Sequence, residues 1–412
     1  MELNQEQKEM LEGKHGDPKK KAMEILVQLG EIYGAKRMVP ITSVHMAGSS
    51  VVVAGKAGTK LVEQMAAQGG EFVPVTTLNS GACDMASPGV IGFPEDLVKM
   101  QERLTNAYCE MGAISYHSCT PYYSDNVPKP GAHVAWGESS AIIFANSVLG
   151  ARTNREGGPT GLAAALTGYV PEYGFHLDEN RRGQVLVKVE EVPTDINEFG
   201  TLGYYVGQIC GDRVPVFLGI EKAKMDELKM LGAALASSGA CALFHIVGLT
   251  PEAPTLEAAM GGLEPEQEVI YGLEQKREAM AKLNKAPNDH VDMVVIGCPH
   301  ASISELQAIA ELFKTRRVKK GIQVWILTPV TTKALAERMG LVKIIEEAGA
   351  QIVCDTCIIL APMKEVMAKD GLSSVSTNSA KLAHYAPGQW GFNVHYGSLE
   401  RCIESAVTGR WK

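Results

Sequence analysis

The sequence predicts an α/β fold with mainly parallel sheets. Short apolar runs alternate with helical stretches along the whole of its 412 residues, a pattern typical of parallel strands joined by crossover helices. The hydrophobic content of 45% and the charged content of 21% are those of a globular protein. A chain of this length exceeds one ordinary hydrophobic core, so we expect two or three packed subdomains.

The N-terminal part predicts helices and strands in alternation. The predicted elements are a helix at 5–33, a strand, a turn and a second strand over 41–53, a helix at 56–68 and a strand at 72–78. Residues 250–290 are polar, rich in Glu and contain Pro, and they are predicted to connect two subdomains.

The clearest strand–helix unit lies in the C-terminal part. Its predicted elements are a strand at 292–297, a helix at 302–314, a strand at 323–327 and a helix at 331–339. The first helix begins at a capping box, because Ser302 is followed three positions later by Glu305. Cys298 therefore lies in a strand-to-helix turn, at the edge where α/β sheets bind ligands.

Composition restricts the class of protein. No run of 18 apolar residues occurs, so no membrane span is expected. The first 25 residues are polar and lack a signal-peptide core, which makes the cytoplasm the default location. The net charge of −8, without a long basic block, disfavours nucleic-acid binding. The nine dispersed cysteines do not suggest a disulfide framework.

Three cysteines lie where an apolar run gives way to a small or polar turn, namely Cys119, Cys298 and Cys357. Only folding can bring them together. Three converging thiolates could hold an iron–sulfur cluster with one iron left open, and an open iron is a Lewis acid. We therefore interpret the chain as a dehydratase rather than a redox protein.

The pair Cys354 and Cys357 leaves alternatives open. This Cys-x-x-Cys spacing also occurs in dithiol redox pairs. Together with Cys298 and His300 it would complete a four-ligand zinc site in a non-catalytic binding subunit. An electron-transfer protein is a third possibility. A redox pair usually opens a helix, whereas residues 353–360 resemble a strand with a kink.

Six other polar segments are candidates for binding. Arg152 and Arg155, before a flexible Gly-Gly, could grip an anion or form a solvated loop. Asn146 and Ser147 lie in a nearly uncharged run and need polar partners, of which a ligand is one candidate. The remaining candidates are the charged stretch 176–182, the turns 46–50 and 77–81, and the polar cluster 377–381.

These segments together resemble the aconitase X family, in the form of its type II large subunit. The matching stretches include Thr-Asn-Arg-Glu-Gly-Gly-Pro and lie at 117–123, 145–159, 173–181, 296–302, 355–357 and 377–381. The resemblance implies an aconitase-like catalytic module of stacked α/β/α subdomains across residues 1–412. It also implies an iron–sulfur cluster, [4Fe-4S] rather than [2Fe-2S], held by Cys119, Cys298 and Cys357.

The resemblance implies a site for a small hydroxy acid. The implied substrate-contacting residues are Gly48, Ser49, Ser50, Asn79, Ser80, Asn146, Ser147 and Lys381, and we add Arg152 and Arg155 as the anion site. The family reaction is removal of water. A general base is expected either from a second subunit or from Ser50 or Ser379 with Lys381 nearby.

Two branches of the family differ in substrate. One dehydrates 5-phosphomevalonate in an alternative mevalonate pathway, and the other dehydrates cis-3-hydroxy-L-proline. The block at 153–159 resembles the first branch, whereas the turns Gly-Ser-Ser and Asn-Ser-Gly depart from the expected pattern, so the second branch stays an alternative. Type II enzymes also have a small subunit that carries a swivelling domain. No such segment follows in this chain, and we therefore expect that partner.

Overall fold

Three parallel sheets, each flanked by helices, make up most of the chain. The computed structural model describes residues 1–89 and 91–412, and it also contains a two-stranded antiparallel ribbon. The predicted α/β fold with mainly parallel sheets is confirmed. No helix among the described residues has both the length and the apolar character needed to cross a membrane.

The N-terminal unit is built on a four-stranded sheet with the order β4-β3-β2-β5. Its strands are β1 (Met38–Pro40), β2 (Ser43–Met46), β3 (Val75–Leu78), β4 (Ile114–His117), β5 (Ala135–Trp136) and β6 (Tyr169–Pro171), of which β1 and β6 form the ribbon. Its helices are α1 (Gln5–Leu11), α2 (Asp17–Ile32), α3 (Val51–Ala67), α4 (Glu95–Glu110), α5 (Ser139–Ser147) and α6 (Gly158–Thr167).

Two predictions for this unit are wrong in detail. The single helix at 5–33 is two helices, because Gly13 and Gly16 adopt φ angles of 81° and 91° in the break between them, where Gly16 is the N-cap of the second helix. The second predicted strand of 41–53 is the start of α3. Its valines favour a strand by propensity, but Val51 is buried within α3 and its two successors are exposed, so helix packing overrides that propensity.

The middle unit has a four-stranded parallel sheet with the order β10-β7-β8-β9. Its elements are β7 (Val185–Val189), α7 (Ile196–Cys210), β8 (Pro215–Leu218), α8 (Met225–Gly239), β9 (His245–Ile246), α9 (Leu256–Met260), β10 (Gln267–Tyr271) and α10 (Leu273–Leu283). Most of the stretch 250–290, predicted as a connection, therefore belongs to this unit, and β10 pairs with β7 at the edge of the sheet.

The C-terminal unit has a five-stranded parallel sheet with the order β13-β12-β11-β14-β15. Its strands are β11 (Met293–Ile296), β12 (Gln323–Thr328), β13 (Gln351–Cys354), β14 (Ser374–Thr377) and β15 (Asn393–Tyr396). Its helices are α11 (Ile303–Phe313), α12 (Val330–Arg338), α13 (Leu341–Glu347), α14 (Met363–Asp370), α15 (Ala380–Trp390) and α16 (Leu399–Thr408). The predicted strands and helices of 292–339 are confirmed, including the capping box at Ser302.

The N-terminal and C-terminal units meet at the carboxyl ends of their strands. Gly81, in the turn after β3, pairs in parallel with Thr356, which follows β13. The Gly81 N–H donates to the Asp355 carbonyl at 2.8 Å, and the Cys357 N–H donates to the Gly81 carbonyl at 3.0 Å. The turns that follow the strands of the two sheets are thereby brought to one place.

Candidate active site

The candidate catalytic and ligand-binding side chains follow directly after parallel strands. Ser50 follows β2, Asn79 and Ser80 follow β3, Cys119 follows β4, Glu138 follows β5, Cys298 follows β11, Cys357 follows β13, and Ser379 and Lys381 follow β14. All seven of these strands belong to two sheets whose carboxyl edges approach each other. The fold therefore collects residues from 50 to 381 around one region.

Cys119, Cys298 and Cys357 are free thiols; the first two are buried and the third is half-buried. The His300 N–H donates to Cys119 Sγ at 3.2 Å. Burial raises the pKa of all three thiols, to about 12 for Cys298, and the Lys381 ammonium acts on each of them in the opposite direction. One buried cation is thus near all three predicted ligands.

Cys354 lies in a different environment from Cys357. The predicted kinked strand at 353–360 ends at Cys354, and Asp355 then adopts a φ of 58°. Cys354 packs in the hydrophobic core of the C-terminal unit. Burial raises its pKa, and the charges of Asp355, Asp84, Lys333 and Glu337 also act on it. The two cysteines of the Cys-x-x-Cys pair therefore differ in burial, since Cys357 is half-buried.

The four ligands of the zinc alternative are not assembled. Nε2 of His300 is 3.0 Å from the Thr356 carbonyl oxygen, and Cys354 is in the core. Among residues 1–89 and 91–412, no three His, Cys, Asp or Glu side chains converge closely enough to hold a single metal ion. A cluster of several iron and sulfide atoms is larger than one ion, so its thiolates stand further apart than zinc ligands.

An ion pair between Glu138 and Lys381 is the main feature that sequence reasoning missed. Lys381 Nζ donates to Glu138 Oε1 at 2.7 Å, and each side chain is only 10% exposed. Although burial opposes ionisation of Glu138, the Lys381 ammonium and local hydrogen bonds lower its pKa to about 2. The Ala141 N–H and the Ser140 hydroxyl donate to its other oxygen. The only signal in the sequence was that Glu138 is an isolated acidic residue directly before the nearly uncharged run at 139–149.

Three predicted substrate-contacting side chains have polar atoms without a partner. Ser50 Oγ, Ser80 Oγ and Asn79 Oδ1 are buried and form no hydrogen bond within the described part of the chain. Buried polar atoms are usually paired, so these three are available to a ligand. Ser49 differs, because its hydroxyl is bonded to the carbonyls of Met46 and Asn79.

Gly48 and Ser379 have identifiable packing and capping roles. A Cβ at Gly48 would lie 3.0 Å from the Gly158 Cα, so the turn needs glycine for close approach of two backbones. The Ser379 hydroxyl donates to the Cys298 carbonyl and accepts from the Leu382 N–H, which caps α15. Its hydroxyl is therefore already in use on both sides.

Asn146 and Ser147 are hydrogen-bonded within the protein. Asn146 Nδ2 donates to the carbonyls of Thr153 and Ala242, and Ser147 Oγ accepts from the Phe244 N–H. The need for polar partners is therefore met by the protein itself. Their contact with substrate stays a prediction.

The arginines of the predicted anion loop differ from each other. Arg152 donates to the His176 carbonyl and pairs with Asp178. Arg155 is exposed, and its guanidinium reaches the Ala240 and Cys241 carbonyls of the middle unit at 3.2 and 3.4 Å. Arg155 has no carboxylate partner among the described residues, so it is the better candidate for an anion.

Family models match nearly the whole chain. Models described as the first, second and third domains of aconitase X match residues 1–179, 183–281 and 291–408. The chain belongs to the aconitase X family. The crystal structure of the holo form of Thermococcus kodakaraensis aconitase X superposes with a TM-score of 0.88 at 38% identity, covering 98% of this chain and 100% of that one.

Two relatives of this chain are dehydratases by name. It is 41% identical to the phosphomevalonate dehydratase large subunit of Methanosarcina mazei over 412 residues, which cover 100% of this chain and 98% of that protein. It is also 35% identical to the cis-3-hydroxy-L-proline dehydratase of Hypocrea jecorina, over 99% of this chain and 69% of that protein. Both names are those of dehydratases.

Proposed function

We propose that this chain is the large, catalytic subunit of an iron–sulfur hydro-lyase that converts (R)-5-phosphomevalonate to trans-anhydromevalonate 5-phosphate. The observation that carries the proposal is that His300, two positions after Cys298, joins the turns of all three cysteines: its N–H donates to Cys119 Sγ at 3.2 Å, and its Nε2 lies 3.0 Å from the carbonyl oxygen of Thr356, the neighbour of Cys357. The full-length similarity to the Methanosarcina mazei subunit supports the substrate.

The donor set fits an iron–sulfur cluster, which we take to be [4Fe-4S], on Cys119, Cys298 and Cys357. A backbone N–H already donates to one thiol sulfur, and hydrogen bonds to the sulfurs tune such clusters. Lys381 supplies a buried positive charge beside the thiolates. When bound with one iron open, the cluster supplies a Lewis acid for the departing hydroxyl.

The residues of the chain itself would bind and orient the substrate. The unpartnered groups of Ser50, Asn79 and Ser80 suit the hydroxyl and carboxylate of a small hydroxy acid, and exposed Arg155 suits its phosphate. Of the two serines considered as the base, Ser50 has a free hydroxyl, whereas that of Ser379 is engaged. Ser50 would take the substrate proton as its alkoxide, after releasing its own proton. A small swivel-domain subunit would complete the site and exclude water.

The alternative substrate is cis-3-hydroxy-L-proline, which the similarity to the Hypocrea jecorina enzyme favours. This substrate carries no phosphate, so Arg155 separates the two proposals. Arg155→Ala should lower kcat/KM for phosphomevalonate about tenfold or more, since a charge-assisted contact contributes roughly 1.5–3 kcal/mol. Unchanged kinetics in a folded variant would show that Arg155 is a solvated surface residue and does not bind the substrate phosphate.

The test is a paired assay of the chain with and without its small subunit, prepared without oxygen. We expect bound iron in the lone chain, negligible turnover, and dehydration of 5-phosphomevalonate when the small subunit is added. Full activity of the lone chain would refute the two-subunit proposal. Activity of the complex on cis-3-hydroxy-L-proline alone would refute the substrate and leave the reaction class intact.

A further inference from the structure

A buried ionic cluster joins the three units beside the cysteines. It comprises Asp226 and Lys229 of α8, Glu305 of α11, and the hydroxyls of Tyr123 and Ser302. The Lys229 side chain is 0% exposed and lies 3.2 Å from Asp226, and it also pairs with Glu305. Lysine is rarely buried so completely unless its ammonium has fixed partners.

Asp226 bridges the two segments that carry cysteines. One of its oxygens accepts from the Tyr123 hydroxyl and the other from the Ser302 hydroxyl, both at 2.8 Å. Tyr123 lies four positions after Cys119, and Ser302 lies four positions after Cys298. A single carboxylate of the middle unit therefore fixes the distance between a turn of the N-terminal unit and a turn of the C-terminal unit.

Lys229 reaches closer to the thiols. Its ammonium donates to the His300 carbonyl at 3.2 Å, and the N–H of the same residue donates to Cys119 Sγ at 3.2 Å. The ammonium also lies 5.6 Å from the centre of the Tyr123 ring, within range of a cation–π contact. The backbone of His300 is thus held on both sides: its carbonyl accepts from Lys229 of the middle unit, and its N–H donates to the Cys119 thiol.

We propose that Asp226 and Lys229 are positioning residues that set the separation of Cys119 and Cys298 for the cluster. The inference rests on the proposed function for the cluster itself. It gives the middle unit, which supplies none of the three cysteines, a role in their geometry. Residues that orient ligands without touching the metal typically alter metal affinity by roughly 10–100-fold.

The experiment compares Lys229→Met with Lys276→Met in the full chain. Lys276 pairs with Glu191 and Glu198 at 2.9 and 2.6 Å within the same unit, so it is a matched ion-pair control. We expect Lys229→Met to release iron to a chelator about tenfold faster or more and to change the visible circular dichroism of the cluster. Lys276→Met should do neither. Asp226→Asn, which keeps the shape, serves as the milder variant if Lys229→Met does not fold.

Hydrogen exchange of the metal-free chain provides a readout that is independent of the cluster. The two variants of the α8 pair should increase amide exchange in both segments 119–124 and 298–305. If these variants only lower the melting temperature, with unchanged iron release and unchanged amide exchange, the proposal is overturned. The buried ionic cluster then only stabilises the fold. If the unaltered chain binds no iron, the proposed cofactor fails, while the exchange result still decides whether α8 fixes the two turns.

Discussion

At the scale of the residue, the Glu138–Lys381 pair illustrates how partners decide charge. Burial alone would neutralise either group, yet each holds the other ionised. Breaking one side of a buried pair leaves an uncompensated charge and typically costs about 3–5 kcal/mol. Glu138 also caps α5 through the Ala141 N–H, so the carboxylate supports a helix and a cation together.

The acid stability of the protein should depend on Glu138. Its pKa is lowered from 4.5 to about 2 in the folded state, so its contribution is fully present above pH 4.5 and is lost as the pH falls toward 2. We expect Glu138→Gln to be less stable than the unaltered protein at pH 7. Between pH 4.5 and pH 2 the variant should lose less stability than the unaltered protein does. Urea unfolding at several pH values measures this, and parallel curves for the two proteins would contradict it.

Cys354 and Cys357 offer a second comparison of single residues. Cys357→Ala should abolish bound iron and activity, as should Cys119→Ala and Cys298→Ala, because each removes a ligand. Cys354→Ala should keep most of both, since that thiol packs in the core. Iron and sulfide analysis decides between them. The reverse result for the pair at 354 and 357 would mean that the other thiol is the ligand.

At the scale of the element, turns after parallel strands carry the site, and the sequence was informative about these turns. Cys119, Cys298 and Cys357 could be selected because each follows an apolar run. The pairing of Glu138 with Lys381 could not be predicted, since the two residues are 243 positions apart and no local pattern links them. The start of α3 was predicted as a strand because it contains three consecutive valines, a residue type that favours strands. The tertiary packing that makes this segment helical cannot be seen in the local sequence.

The N-cap of α15 should matter for more than helix stability. Ser379→Ala removes the acceptor for the Leu382 N–H and the donor to the Cys298 carbonyl. Ser398→Ala, at the N-cap of α16, removes only a cap. We expect each to lose about 1 kcal/mol of stability, and only Ser379→Ala to release iron faster. Equal iron release from the two variants would limit Ser379 to capping.

At the scale of the whole molecule, Arg181 joins the N-terminal and middle units. The charged stretch 176–182 could have been a solvated turn, but Arg181 is only 3% exposed. Its guanidinium donates to Asn146, to the Ala151 and Phe175 carbonyls and to Glu252. Sequence alone could not separate it from its neighbour Arg182, which is exposed, because burial of a charge depends on partners from distant segments.

Replacing these two adjacent arginines should have unequal effects. Arg181→Lys keeps the charge but cannot reproduce the fork of donors, so buried carbonyls lose their partners at about 1–3 kcal/mol each. Arg182→Lys should change stability by less than about 0.5 kcal/mol. Urea unfolding measures both. A small effect at position 181 would indicate that water replaces the guanidinium.

On the proposed function, the placement of the three cysteines also determines when, during the life of the protein, iron can be loaded. Cys119 is made early on the ribosome, whereas Cys357 follows β13, the third strand of the C-terminal unit in chain order. A cluster that needs all three thiolates cannot be seated on a growing chain until most of it has been translated. Loading would therefore belong to the finished, folded polypeptide, and a chain truncated before position 357 would lack one of the three proposed ligands whatever its folded state.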